Sequence, residues 1–321
     1  MPFRPTPFSA FDGKPISWPE GKDFAFTVFD DPDGQTTEAG RQVYGFLSDL
    51  GFRTTKGVWP LHGEGERSCR GRSCEEADYL ELCKSLQEQG FEIGYHNASQ
   101  NTAHRALTIA AFDRFAQLFG GDPVTMANHY NSAEGIYWGD ERLSGMPRLI
   151  YNIVTRGRNR GRFFGHVPGH PLYWGDLCRT RVQYVRNFVY REINTLAACP
   201  MMPYHDPDRP LVPSWYASTE GSNCESFVAA VSEANQDRLL AERGACIMYT
   251  HFGHQFVSDG QLDPRFRALM TRLSRMNGWF VPAGTLLDHL RSIRGVHHLR
   301  DSERTALEWH WLRQKVRYGT S

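Results

Sequence analysis

The sequence has little that would commit it to a membrane, a nucleic acid or a nucleotide. No apolar run approaches the ~18 residues that cross a bilayer. The start, MPFRPTPFSAFDGKPISWPEG, lacks the basic cluster and apolar stretch of a signal peptide. A cytoplasmic location is expected, or a secreted one if a leader has been removed, with no membrane partner. Excess charge is missing too: Lys plus Arg number 36 and Asp plus Glu 36 in 321 residues. That balance excludes a generally basic nucleic-acid binder and a polyanionic tail protein. There is no G-x-G-x-x-G after the first strand-like run and no Walker A sequence, so nucleotide cofactors are not expected. Cysteines number seven, odd and scattered, which argues for reduced thiols over a disulfide framework. Cys69 and Cys74 flank a Gly/Arg loop and read as free thiols, because no second pair with ligand spacing accompanies them.

What is present is an alternation of short β-rich runs with longer helical ones. Strands are expected at Asp23–Asp31, Phe52–Trp59, Phe91–Tyr95, Pro123–His129, Leu149–Thr155, Asn187–Ile193, Gly244–His251 and Gly278–Val281. Helices are expected at Thr37–Leu50, Glu75–Gln89, Thr102–Phe119, Cys224–Arg243, Pro264–Met276 and Gly284–Ile293, with a further helical stripe of Leu307, Trp311 and Leu312. Gly157–Trp174 reads as an inserted loop. Ala197–Asn223, stiffened by five prolines, reads as a long irregular segment covering the mouth of the site. Repeated strand–helix units give parallel strands, and without a nucleotide fingerprint they favour a (β/α) barrel over an open sheet. Barrel chemistry sits where strands end and βα loops begin.

Those ends carry Asp30-Asp31 with Asp33 following, His96, Asn128-His129 and Thr250-His251. Alone, each has a plain explanation: Asp caps helices and His satisfies local hydrogen bonds. Jointly, carboxylates and imidazoles at four converging strand ends suit a divalent ion such as zinc. Such a site can deprotonate water and protonate a leaving group.

FTVFDDPDG, EIGYHNASQNT and the late CIMYTH followed by WFVPAGTLLDHL resemble the motifs of the NodB-homology polysaccharide deacetylases, carbohydrate esterase family 4, over roughly residues 20–293. The resemblance implies an α/β fold, a distorted (β/α)7-type barrel in one domain with loop insertions. Its boundaries would be 1–22 for an N-terminal extension, 23–293 for the barrel and 294–321 for a C-terminal helical tail. It implies hydrolysis of N- or O-acetyl groups on a carbohydrate, with a divalent metal, zinc above others. Asp30 would be the catalytic base, His251 the acid, and Asp31 and His96 metal ligands. The chain departs from the pattern where Gln100 replaces the second His of the family, and Ala127–Tyr130 replaces the Arg-containing motif. His129 is the preferred replacement ligand, since imidazole binds zinc better than the amide oxygens of Gln100 or Asn101. The third option is a barrel without metal that binds sugar and does not cleave it.

Asp33, Asn128, Tyr130, Trp138 and His205 are expected to touch substrate, and Trp59, Tyr137 and Trp215 offer further aromatic faces for sugar stacking. His254 competes with His251 for the acid role. A separate reading takes Asp31-Pro32-Asp33-Gly34 as the nucleophile loop of a haloacid-dehalogenase-type phosphatase, but the late strand lacks the acidic pair such an enzyme needs.

Overall fold

The computed structural model describes residues 16–63, 65–66 and 68–321. Residues 1–15 of the expected N-terminal extension lie outside them. Seven parallel strands close on themselves: Phe24–Asp30, Thr55–Val58, Glu92–Tyr95, Thr125–Met126, Tyr184–Tyr190, Ser214–Glu220 and Ala245–Thr250. The last pairs with both the sixth and the first, and six residue pairs from Ala25↔Ala245 to Asp30↔Thr250 complete the ring. Helices between successive strands cover the outside, so the fold is a single-domain (β/α)7 barrel, as the sequence leads one to expect.

Side chains along the first strand alternate between two cores. Phe24, Phe26 and Val28 face the helices, where they meet Val43, Tyr44 and Leu47 and a group of aromatic rings. Phe252, Phe256 and Phe266 stack edge to face there, with centroids 5.0 Å apart for two of the pairs. Ala25 and Phe29 face the barrel interior. This period of two also sets the directions in which the residues at the strand end point.

Several expected elements change. Leu149–Thr155 belongs mostly to a helix, Gly145–Val154, rather than a strand. Its β-branched run is suited to a strand, but Leu149, Ile153 and Val154 stay exposed while Tyr151 packs inward. The expected strand at Asn187–Ile193 begins earlier, at Tyr184. Cys224–Arg243 is two helices, Cys224–Ala230 and Glu233–Ala241. Ala197–Asn223 contains a whole barrel strand, Ser214–Glu220. The proline-rich part before it turns away from the mouth and docks on the C-terminal helix, Asp301–Tyr318, through Asp206 with Arg209 and Arg304. That helix is packed into the molecule, Trp311 meeting Tyr151 and Phe188 at 5.6 Å. No helix among the described residues is long and apolar enough to cross a membrane.

Candidate active site

The alternation along the first strand sends its two terminal carboxylates to opposite sides of the barrel wall. Asp30 follows Phe26 and Val28 outward. Fully buried, it faces Lys56 at 3.1 Å and accepts from Tyr44 (2.8 Å), Gln35 (3.1 Å) and the backbone N–H of Phe252 (2.7 Å). It does not line the cavity at the barrel mouth. Asp31 follows Phe29 inward and does line it. Its two oxygens accept a forked pair from Arg186, at 3.0 and 2.5 Å. Burial would raise the Asp31 pKa, but Arg186, then His96, hold it below the ordinary carboxylate value.

Asp33, on the turn after the strand, occupies the centre. Its Oδ1 lies 3.2 Å from His129 Nε2, and its Oδ2 lies 3.4 Å from His96 Nε2 and 3.8 Å from His251 Nε2. Burial opposes its charge, yet His129 and His96 pull the carboxyl well below the usual range. Each imidazole is oriented from behind. His129 Nδ1 meets Ser132 Oγ at 3.1 Å, and its backbone N–H donates to Asn97 Oδ1. His96 Nδ1 is 3.6 Å from Asp31 Oδ1. His251 Nδ1 is 2.7 Å from the Ser222 carbonyl, which can only accept. Its proton therefore sits on Nδ1 in the neutral ring, and Nε2 faces the cavity.

Cys69, which sequence spacing marks only as a free thiol, joins this group. Its Sγ lies 3.6 Å from His129 Nε2, and Asp33, Cys69 and His129 form a compact set of donors. The Cys69 loop is pinned against Asp33 by a bridge between Asp33 and Gly71 and by Gly34 N–H to the Arg70 carbonyl, 2.7 Å. Gly71 has φ 140°, and a Cβ there would meet the Pro32 carbonyl at 2.6 Å, so the close approach needs glycine. All seven cysteines are free thiols, as expected, but Cys69 is more than a bystander.

The donor set fits a divalent ion. Asp33, His129 and Cys69 bring their donor atoms together, with His129 Nε2 at 3.2 Å from Asp33 Oδ1 and 3.6 Å from Cys69 Sγ, close to the ~3.3–3.6 Å that separates ligands on ~2.0–2.3 Å bonds to zinc. His96 Nε2 stands outside that compact set, 3.4 Å from the other Asp33 oxygen. Asp33 Oδ2 is buried without a hydrogen-bond partner among the described residues, as an atom that awaits another charge is. Asp31, anchored by Arg186, stands behind His96 as carboxylates often stand behind ligating histidines.

The other expected site residues divide. Asn128, Tyr130 and Trp138 line the cavity, about 550 Å³ in volume. Asn128 also spends its amide on both backbone groups of Ile136. His205 lies elsewhere, its Nδ1 against the carbonyls of Val212 and Pro213. Trp59 and Trp215 are fully buried, and no residue of 197–223 lines the cavity. His254 is set back against Gly34 and does not line it. Gln100 spends its amide on the loop, accepting the Gly63 N–H and donating to the Gly71 carbonyl, and does not line the cavity. Arg186 escapes the sequence pattern because the expected strand starts at Asn187, one residue beyond it. A lone arginine inside YVRNFVY is the signal that marks it, since a charge buried in a barrel strand needs a partner.

No protein-family model and no curated protein sequence matches the chain. Solved structures do. A protein from Mycobacterium smegmatis described as a polysaccharide deacetylase aligns with TM-score 0.53 and 13% identity, over 90% of this chain and 97% of that one. One from Pseudomonas aeruginosa PAO1, described likewise, aligns with TM-score 0.48 and 11% identity, over 90% and 98%. An allantoinase aligns with TM-score 0.47 and 11% identity, over 90% and 98%. The chain thus has the barrel fold of the polysaccharide deacetylases.

Proposed function

We propose that the protein is a metal-dependent hydrolase that removes acetyl groups, from nitrogen or oxygen, of a carbohydrate. The observation that carries this is the convergence of Asp33, His96 and His129 beside Asp31 and His251 at the mouth of a deacetylase-type barrel. Asp33, His96 and His129 would hold the ion, and Cys69 competes for the position left open. When bound there, a divalent cation such as zinc polarises an acyl oxygen and makes water more acidic. The protein's own groups do the rest. Asp31 is kept ionised by Arg186 and is placed to accept a proton from the attacking water. The water oxygen bonds to the acyl carbon as the C–N or C–O bond breaks. His251 acts from its doubly protonated form: Nε2, facing the cavity, gives the proton that the departing nitrogen or oxygen needs, while the proton taken by Asp31 passes to solvent, which restores the one on Nε2. Acetate and a free amine or hydroxyl result. Tyr130, exposed in the cavity wall, offers a ring face to the sugar, while Trp138 is buried with one face against Arg142.

In this reading the base is Asp31 rather than Asp30, and the metal carboxylate is Asp33 rather than Asp31. The test is acetate release from a panel of acetylated sugars by the zinc-loaded protein. Asp31→Asn and His251→Ala are expected to lower turnover by roughly 10² or more, with far-UV circular dichroism unchanged. Asp33→Asn is expected to lose the metal, read by elemental analysis after dialysis. Metal-free protein that stays inert on every substrate with added zinc would point instead to a barrel that only binds sugar.

A further inference from the structure

Away from the histidines, the same cavity ends in cations. Arg142, Arg156, Arg158 and Lys315 line it, while Asp31 and Asp33 are its only carboxylate side chains among the described residues. Both of those are engaged, with Arg186 and with the imidazoles. Arg142 is the informative member. It is 4% exposed, and its guanidinium is clamped between the rings of Trp138 and Trp311, at 4.1 and 4.3 Å. Its Nη1 donates to the Asn187 carbonyl at 3.3 Å, and its Nε is buried with no hydrogen-bond partner among the described residues. No acidic group among the described residues lies within ion-pair distance of it. Burial lowers its pKa to about 10, so it is charged at neutral pH. Lys315, on the C-terminal helix, likewise lacks an ion-pair partner among the described residues, its Nζ donating to the Thr320 carbonyl. Burial, then Arg142, lowers its pKa to about 8.

Buried cations are found paired unless something else supplies the counter-charge. Here one buried and one half-buried cation, Arg142 and Lys315, stand side by side in the wall of an open cavity, and the two indoles fix the plane of the buried one. A guanidinium held flat presents its N–H edges in set directions, which suits a carboxylate fork. We infer that the substrate is an acylated sugar bearing a carboxylate, which seats against Arg142 and Lys315 while the acyl group lies at the Asp33–His96–His129 cluster. This rests on the hydrolase reading above. A cavity of about 550 Å³ falls within the ordinary range for small-ligand sites.

Three substrates that differ only at C6 decide the matter: N-acetylglucosamine, its 6-carboxylate (the uronic acid) and its 6-phosphate. With the zinc-loaded full chain, kcat/KM for the carboxylate is expected to exceed that for the neutral sugar by roughly tenfold or more. Lys315→Met and Arg142→Gln should bring that ratio toward one. Replacing Arg142 between two indoles risks the fold, and half-buried Lys315 carries the same test. Acetate release with no preference for charge would overturn the inference and leave the hydrolase reading standing. A preference for the phosphate would overturn the carboxylate assignment. If none of the three is cleaved, calorimetric titration with glucuronate decides: binding that Lys315→Met abolishes supports the carboxylate seat independently of catalysis, and no binding to wild type overturns it.

Discussion

Asp30 and Asp31 are joined by one peptide bond and meet different surroundings. Asp30 is a counter-charge for Lys56 in a wholly buried pair, with Tyr44, Gln35 and the Phe252 N–H completing its shell. Neutralising it leaves a buried ammonium uncompensated. Asp30→Asn is therefore expected to cost ~3–5 kcal/mol of stability, measured by urea unfolding. An Asp30→Asn protein as stable as wild type, with turnover abolished, would return the base role to Asp30. Glu134 shows a second use of a buried carboxyl. Its oxygens accept from Asn97 at 3.0 Å and Ala103 at 3.2 Å, and Asn97 in turn holds the His129 backbone. Burial raises its pKa to about 7. The folded state thus keeps a proton that the unfolded chain releases near pH ~4.5. Its contribution to stability is present below that value and is lost as pH rises toward 7. Glu134→Gln cannot ionise, so its melting temperature relative to wild type is expected to climb between pH ~4.5 and ~7.5. A flat difference across that range would show that Glu134 ionises no differently when folded.

Among the elements, the Cys69 loop and the sixth barrel strand are the least legible in the sequence. Cys69 has no partner at ligand spacing in the sequence, and its neighbours, Asp33 and His129, arrive from distant parts of the chain. The close approach of Gly71 to Pro32, with the Asp33–Gly71 bridge and the Gly34 N–H to Arg70 carbonyl bond, brings the loop to them. Burial and the Asp33 carboxylate push its thiol up to about 12, but a divalent cation deprotonates a thiol it binds. Cobalt-substituted protein is expected to show near-ultraviolet thiolate-to-metal absorption. Cys69→Ser should lose that band, keep its metal on Asp33, His96 and His129, and turn over faster with the open position cleared. A cobalt spectrum unchanged by the substitution would leave Cys69 outside the site. The strand Ser214–Glu220 is hidden for another reason: SWYASTE lacks the aliphatic run of a barrel strand and comes after a proline-rich stretch. Gly145–Val154 misleads in the opposite sense, since its apolar, β-branched residues lie on an exposed helix face. Propensity is local, and in both cases the packing partner decides. Strands with clear alternation, above all the first and last, are legible with their end residues. The direction of each end residue is legible too, since counting by twos along DFAFTVFDD already separates Asp30 from Asp31.

At the level of the whole molecule, ring closure brings the site together. The first, third and fourth strands deliver Asp33, His96 and His129 to one rim, and the ladder between the first and last strands brings His251 beside Asp33. Strand–helix repetition announces that architecture, whereas the cationic end of the cavity depends on the C-terminal helix, which periodicity shows as a helix without a place. A metal bound at this rim binds only the folded ring. Zinc at 100 times its dissociation constant adds ~2.7 kcal/mol, expected as a rise of roughly 5 °C in melting temperature. Chelator should reverse it and Asp33→Asn should abolish it, both read by scanning calorimetry.

The alternation in the first strand also has a bearing on how such a motif can be transplanted. Because Asp30 and Asp31 are sorted by the odd or even count of residues before them, deleting or inserting one residue within Phe24–Phe29 would exchange their destinations while leaving the motif's letters intact. Distance along the chain would scarcely change, but each carboxylate would face the other side of the wall, and only one of Lys56 and Arg186 would still meet an Asp. A graft of FDDPDG onto another barrel must therefore match parity against the neighbouring strand. Two chains with identical motifs and opposite parity would share a signature and differ in chemistry.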